Sequence, residues 1–347
     1  MDVKLNPRPL ETHIDWTRAD VQDERAWTLE LSDADKAELD HALRVAKARS
    51  DNLLEIGLEH FPLDALAAKL KEVERELIDG RGFVRIRTLD TAKYSDDELT
   101  MLYWGIGLHL GDPWPQNHYG HVMGDVTDQG KRRDDPTVRG NEIGLVALDY
   151  HTDGSDLVGL MCLRKAKRGG LSCVANIVAI YNDLVKTRPD LVAALYEALP
   201  FDARGEQAPG HPPYYSIPIF TEHKDRLFVR FIPQYTLASQ RHPEAPRLSD
   251  TAREALETVS AMARDPKYNV YMDLAPGEMQ FINNYHVLHG RQEYEDDLPN
   301  GYKRHLKRLW LATRYLKDRP DNFRRKVQSH WSRNISVSRI EAVGKAN

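Results

Sequence analysis

Apolar residues change their period several times along this chain. Between Pro62 and Gly80 they recur at alternating three- and four-residue spacing, at Leu63, Leu66, Leu70, Val73 and Leu77. That stripe predicts an amphipathic helix with proline at its start and glycine at its C-terminal cap. Upstream, Ser32 and Asp35 form a capping-box pattern before "KAELDHALRVAKAR", so the first 80 residues read as mainly helical. "GFVRIRTL" then switches to strand-like alternation, and β-like segments recur at "EIGLVALDY", "VGLMCLR", "LSCVAN", "LFVRFI", "MQFINN" and "HLKRLWLATRY". Two more helices are predicted, at "VAIYNDLVKTRPDLVAALYEAL" and, capped by Ser249, at "DTAREALETVSAMARD". Many short strands with intervening helices predict an α+β fold of jelly-roll type. With no repeat or linker in view, it reads as one domain: a helical N-terminal elaboration over 1–80, a core over 81–320 and a tail over 321–347.

Between Gly111 and Glu142 the periodicity lapses into "DPWPQNHYGHVMGDVTDQGKRRDDPTVRGN", rich in Gly, Pro and charge. A loop of that length is expected to be functional or disordered. It has the composition of a lid over a substrate, and its His118 and His121 read as solvated loop histidines.

Composition narrows the partners without naming one. A charged fraction of 29%, an apolar fraction of 41% and a net charge of −5 are ordinary for a globular protein, and they provide no general attraction to nucleic acid or an anionic membrane. "MDVKLNPRPLETHIDW" has no apolar core of a signal peptide, and no run is long enough to span a bilayer, so a cytoplasmic protein is expected. The two cysteines, Cys162 and Cys173, sit in apolar strand-like segments and read as buried thiols. Oligomeric state is open, a homo-oligomer included.

The chemistry concentrates in "LDYHTDGSDLVGLMCL", Leu148 to Leu163, where a histidine and two acids interrupt an apolar stretch. A His-x-Asp pair in a strand projects both side chains to one face, where they can grip a metal ion. Four His-x-acid triplets occur: His13/Asp15, His151/Asp153, His223/Asp225 and His242/Glu244. Three lie in polar or Pro-rich surroundings. Only His151 leaves a buried strand, where an unpaired Asp153 carboxylate would be costly without a cation. A facial set of two histidines and one carboxylate, open on the other side, suits oxygen chemistry at non-haem iron(II). "LAPGEMQFINNYHVLHGRQEYED" offers His286 and His289 for the third ligand, and spacing alone does not separate them.

Downstream, "YKRHLKRLWLATRY" alternates so that Arg304, Leu306, Arg308, Trp310 and Ala312 share one strand face. At about 3.3 Å per residue the two arginines stand roughly 13 Å apart, enough for one to bind the remote carboxylate of a small diacid while the other reaches nearer the metal.

These residues together resemble the iron(II)- and 2-oxoglutarate-dependent oxygenases of the taurine dioxygenase, γ-butyrobetaine hydroxylase and clavaminate synthase group. "HTD" at 151–153 looks like their proximal ligand pair, "GGLS" at 169–172 like their Gly-Gly-x-Thr/Ser, "NNYHVLHGR" like their distal histidine segment and "RHLKR" like their Arg-x-x-x-Arg strand. The motifs span roughly 82 to 316. The resemblance implies a double-stranded β-helix, His289 as third ligand, Arg304 with Ser172 on the distal carboxylate of 2-oxoglutarate, and Arg308 nearer its C1 carboxylate or the substrate. Iron(II), 2-oxoglutarate and dioxygen are the implied cofactors, and hydroxylation of an unactivated C–H bond of a small molecule is the implied reaction. Asp153 is retained as an acid, which disfavours the halogenating variant of this chemistry.

Two other readings compete. A zinc-dependent hydrolase or isomerase could use the same triad but leaves Arg304, Arg308 and Ser172 unexplained. A non-catalytic binding jelly-roll has no use for an intact triad. For the substrate, Gln116, Tyr214, Tyr215, Asn284 and Arg230 are the candidates. Arg230, expected to share a strand face with Phe228 and Ile232, would suit an acid.

Overall fold

In the computed structural model, residues 7–132, 134–224, 226–323 and 335–338 are described. Two sheets face each other, and helices cover both outer faces. The larger sheet runs, in spatial order, through Thr28–Glu30, Phe83–Arg87, Met279–Asn283, Leu157–Arg164, His305–Ala312, His121–Val126 and Ser336–Val337. The smaller is built from Asn269–Met272, Ser172–Asn176, Val287–Arg291 and Leu148–His151. Val158, Ile282, Leu306 and Trp310 of the larger sheet pack into one buried cluster with Val174, Val270 and Val287 of the smaller. Alternation along each strand explains this: one set of side chains meets the facing sheet and the other meets helices.

The helices behave as their capping residues dictate. Helix α1 (Asp33–Arg49) starts at the expected box, with the Ser32 hydroxyl accepting from the Asp35 N–H, and α2 (Ala65–Asp79) ends at Gly80. Helix α3 (Asp96–Leu110) was not anticipated, although Ser95 and Glu98 form a complete capping box. Its sequence "MLYWGIGLHL" is apolar on every side and so has no stripe to detect. It is buried all round because it lies between the larger sheet, at Leu309 and Phe281, and the other two N-terminal helices. The long apolar stretch after Asn176 forms two helices, Ile177–Thr187 and Pro189–Tyr196, because Pro189 cannot continue the first and opens the second. Helix Asp250–Arg264 begins at Ser249 as expected.

Three expectations need correction. The supposed loop from Gly111 to Glu142 contains His121–Val126, which pairs with His305–Ala312 inside the larger sheet. Gly124 and Asp125 hide the strand by breaking its apolar alternation. Within the segment expected as a tail, Ser336 and Val337 pair in parallel with that same strand. Arg230 and Ile232 lie beyond the strand Arg226–Val229, so the shared strand face does not exist.

One close approach sets the position of the smaller sheet's two middle residues. A Cβ at Gly290 would stand 2.7 Å from the Leu148 carbonyl oxygen, so only glycine lets the strands carrying His151 and His289 come this near. Gly290→Ala is expected to lower unfolding stability by about 1–3 kcal/mol, read from urea denaturation, because a backbone atom cannot move aside as a side-chain tip can.

Candidate active site

His151 and His289 are direct partners across an antiparallel strand pair, with ring centroids 4.3 Å apart. Asp153 follows just past the strand end. Its carboxylate lies 3.9 Å from His151 Nε2 and 3.7 Å from His289 Nε2, and one ligand atom from each residue falls within 4.8 Å of the others. Among the described residues this is the one such cluster of metal-ligating side chains. The other three triplets stay apart from it. His13 meets the Asp79 carbonyl, His223 meets Asp318 and His242 meets Asp202, while Asp225 lies outside the described residues.

The surroundings prepare these groups for a cation. His151 Nδ1 lies 2.8 Å from the Asp149 carbonyl, which can only accept, so Nδ1 donates there and Nε2 is the nitrogen turned toward Asp153. Burial pushes the His289 pKa down to about 3, keeping that ring neutral. For Asp153, burial opposes ionisation, but Arg308, both histidines and the Trp310 indole outweigh it and hold the carboxyl well below the usual range. Arg308 at 3.2 Å and Trp310 Nε1 at 2.8 Å both donate to Oδ2, leaving Oδ1 without a protein donor among the described residues. The loop itself is fixed from afar: the Asp153 N–H donates to Asn284 Oδ1 at 3.0 Å, and the Thr152 N–H to the Phe231 carbonyl at 2.8 Å.

His286 is equally buried but points elsewhere, against Gly82, and it joins no cluster. Asn284 is fully buried, with its amide also bound to the Ser155 carbonyl, so it supports the Asp153 loop and does not reach the cavity. Gln116 is likewise absent from the cavity wall. Its amide oxygen accepts from Arg308 Nε at 2.7 Å and its nitrogen donates to the Val122 and Arg308 carbonyls. Both amides were expected to touch substrate, and both are consumed in holding residues that can.

Ser172 and Arg304 form a second buried locality, outside the cavity lining. Ser172 stands opposite Arg291 in the strand register, and Arg304 Nη2 donates to the Gly170 carbonyl at 3.2 Å. Gly170 has φ 75°, and a Cβ there would press on the Arg304 side chain at 3.0 Å, which accounts for glycine in "GGLS". Burial and the neighbouring Arg291 push the Arg304 pKa down to about 10. Among the described residues no ion pair reaches this guanidinium, and its Nη1 is buried without a hydrogen-bond partner. Such a group calls for an anion.

A cavity of about 860 Å³ opens beside His151 and Asp153. Tyr214, Tyr215, Arg230, Arg308 and Trp310 line it, and so do Arg139, Arg204, Tyr235, Arg319 and Phe323, which sequence reasoning missed. Those last five lie in segments without periodic signal, and their convergence is a product of the fold. Of the long segment expected as a lid, Trp114 and Val138 to Asn141 reach the cavity.

A model of the taurine catabolism dioxygenase TauD, TfdA family matches residues 47–310. The chain belongs to that family. It is a non-haem iron dioxygenase, with iron(II), 2-oxoglutarate and dioxygen as its cofactors. The chain is 30% identical over 312 residues to FR-33289 synthase of Streptomyces rubellomurinus, covering 89% of this chain and 92% of that protein. With uridine-5'-phosphate dioxygenase of an Amycolatopsis species it shares 27% identity over 246 residues, 68% of this chain and 86% of the relative. An asparagine oxygenase solved with Fe(II), 2S,3S-3-hydroxyasparagine and succinate has the same fold, with a TM-score of 0.62 at 16% identity over 85% of this chain and 98% of that one. Among the described residues no helix is long and apolar enough to cross a membrane.

Asp156, three residues past Asp153, has a different task. Its buried carboxylate accepts from Tyr285 Oη at 2.6 Å, the Thr313 N–H at 3.0 Å and Arg319 Nε at 2.9 Å, which clamps the segment after the last long strand against the cavity. Arg319→Met is expected to lower unfolding stability by about 3 kcal/mol, since it strands a buried carboxylate. Faster proteolysis near residue 320 at unchanged iron content would locate the damage in this clamp.

Proposed function

We propose that the protein hydroxylates an unactivated C–H bond of a small anionic molecule, with His151, Asp153 and His289 holding iron(II) and Arg304 and Ser172 holding the distal carboxylate of 2-oxoglutarate. The observation that carries this reading is the convergence of three ligand atoms within 4.8 Å beside an 860 Å³ cavity. A neutral His289, a His151 with Nε2 turned toward Asp153 and a carboxylate with one undonated oxygen are the donor set such a metal requires. The buried, unpartnered Nη1 of Arg304 fits a carboxylate in the same way.

Within this reading each residue has a physical task. Arg308 and Trp310 hold Asp153 by Oδ2, the oxygen nearer His289, and leave Oδ1 on the side of His151. Gln116 and Asn284 keep Arg308 and the Asp153 loop in register. The apolar wall of Trp310, Ile217 and Phe323 excludes water from the reacting carbon. Iron(II), if bound here with 2-oxoglutarate, would let dioxygen act as the oxidant: one oxygen atom would enter succinate as carbon dioxide is lost, and the other would enter the substrate C–H bond as hydroxyl. A zinc hydrolase is disfavoured by the family assignment and by the Arg304 locality, for which it has no use.

We further read the two facing sheets as a double-stranded β-helix, and residues 1–347 as a single oxygenase domain whose N-terminal helices close the outer face of the larger sheet. Its pairing through Thr28–Glu30 supports that unity, because the elaboration contributes an edge strand to the core. The names of the relatives support a small acidic substrate: one is a nucleoside phosphate dioxygenase and one structure holds a hydroxylated amino acid.

Single alanine replacements test the triad. His151→Ala, Asp153→Ala and His289→Ala should each abolish stoichiometric iron binding and succinate formation, whereas His286→Ala should retain iron. Retention of iron by His289→Ala with its loss in His286→Ala would reverse the assignment. Arg304→Met should raise the Michaelis constant for 2-oxoglutarate on the order of a hundredfold, the cost of leaving the carboxylate without its charge-assisted bonds. An unchanged constant would move that role to another cation.

A further inference from the structure

The cavity wall holds as many arginines as acids, but not every acid is paired within it. Arg139, Arg204, Arg230, Arg308 and Arg319 line it, against Asp149, Asp153, Asp156, Asp202 and Glu206. Two of those acids are matched by cations from outside the cavity: Asp149 by Arg264 at 3.2 Å and Asp202 by Arg241 at 2.8 Å. The remaining three meet Arg308 at 3.2 Å, Arg319 at 2.9 Å and Arg139 at 3.1 Å. Arg204 and Arg230 are left without a carboxylate in ion-pair reach among the described residues.

Neither has been neutralised in another way. Arg204 donates through Nη2 to the Val138 carbonyl and lies 5.0 Å over the Tyr235 ring, but its Nε is buried with no partner. Its backbone φ of 57° is in the left-handed region that arginine rarely adopts, so the turn spends conformational preference to present this side chain. Arg230 donates to the Asp153 carbonyl and lies 5.4 Å over Phe323. Contact with an aromatic face compensates a guanidinium only in part. Tyr215 and Tyr235 line the same cavity. Burial pushes the Tyr215 pKa up to about 12 and raises that of Tyr235, so both hydroxyls stay protonated and can donate.

We propose that Arg204 and Arg230, with the hydroxyls of Tyr215 and Tyr235, form a subsite for a doubly charged tetrahedral oxoanion, a phosphate or phosphonate group, carried by the substrate. This rests on the dioxygenase reading above and specifies its substrate. Two surplus cations call for two negative charges. A carboxylate brings one charge and about four acceptor positions, whereas two guanidinium groups and two phenols offer more donors than that, and three terminal oxygens can take them. The Arg230 bond to the Asp153 carbonyl ties the subsite to the proposed metal centre, so an anion held here keeps the neighbouring carbons of a small molecule within the cavity.

The test is calorimetric titration of methylphosphonate, methyl phosphate and acetate, above the second ionisation of the first two, into anaerobic protein loaded with iron(II) and 2-oxoglutarate. The unmodified protein should bind at least one of the tetrahedral dianions about tenfold or more tighter than acetate. Arg204→Met and Arg230→Met should each weaken that binding by about tenfold or more, with Arg204→Lys recovering part of the loss. Acetate binding as tightly as both dianions, or dianion binding unchanged in a folded Arg204→Met protein, would overturn the proposal. Where Arg204→Met fails to fold by thermal melting, the probe series on the unmodified protein and Arg204→Lys decide. Succinate release from 2-oxoglutarate by the unmodified protein tests the dioxygenase reading separately: anion binding without it would leave the subsite standing and overturn that reading.

Discussion

A buried carboxylate beside two imidazoles organises this protein. Asp153 is ionised despite its burial because Arg308, the two histidines and an indole N–H surround it, brought together from three segments remote in the chain. Removing a charge from water is costly, and the cost is offset only where opposing charge and hydrogen bonds are held in position. The two sheets, the Gly290 approach and the amides of Asn284 and Gln116 all serve that holding. An iron ion would complete it by adding the cation that the two imidazoles and the carboxylate are arranged to meet.

The same logic extends outward through arginine. Arg308 faces the cavity and steadies Asp153, Arg304 waits in a separate buried locality with one nitrogen unpartnered, and Arg319 binds the C-terminal segment to Asp156. Each is a fixed planar donor array whose proper partner is a carboxylate or a comparable oxoanion. Where the chain supplies the partner, as at Asp156, the result is structure. Where no carboxylate comes within reach among the described residues, as at Arg304, Arg204 and Arg230, the donors are left to be met from outside the chain. The distinction follows from which carboxylates the fold brings within reach.

The sequence by itself determined the ends of the site that depend on local pattern. The His151/Asp153 face, the strand carrying Arg308 and Trp310 and the capping box at Ser32 and Asp35 are legible, because strand alternation and helix capping act between near neighbours. The choice of His289 over His286 came from resemblance, and the strand register now supplies its reason: His289 faces His151, while His286 packs against Gly82.

What only the tertiary structure decided is everything that depends on which distant groups meet. Gln116 and Asn284 look like any polar residues in loops, yet the fold gives their amides to Arg308 and to the Asp153 loop. Asp149 and Asp202 count as acids in any tally of charge, yet Arg264 and Arg241 approach them from outside the cavity, and among the described residues no carboxylate comes within ion-pair reach of Arg204 or Arg230. The all-round apolar helix α3 and the strand broken by Gly124 and Asp125 are equally silent, because burial on every side, or within a sheet, erases the alternation that local reading needs. Charge pairing and burial act through space between residues remote in the chain, and their outcome is set by the packed arrangement of both sheets.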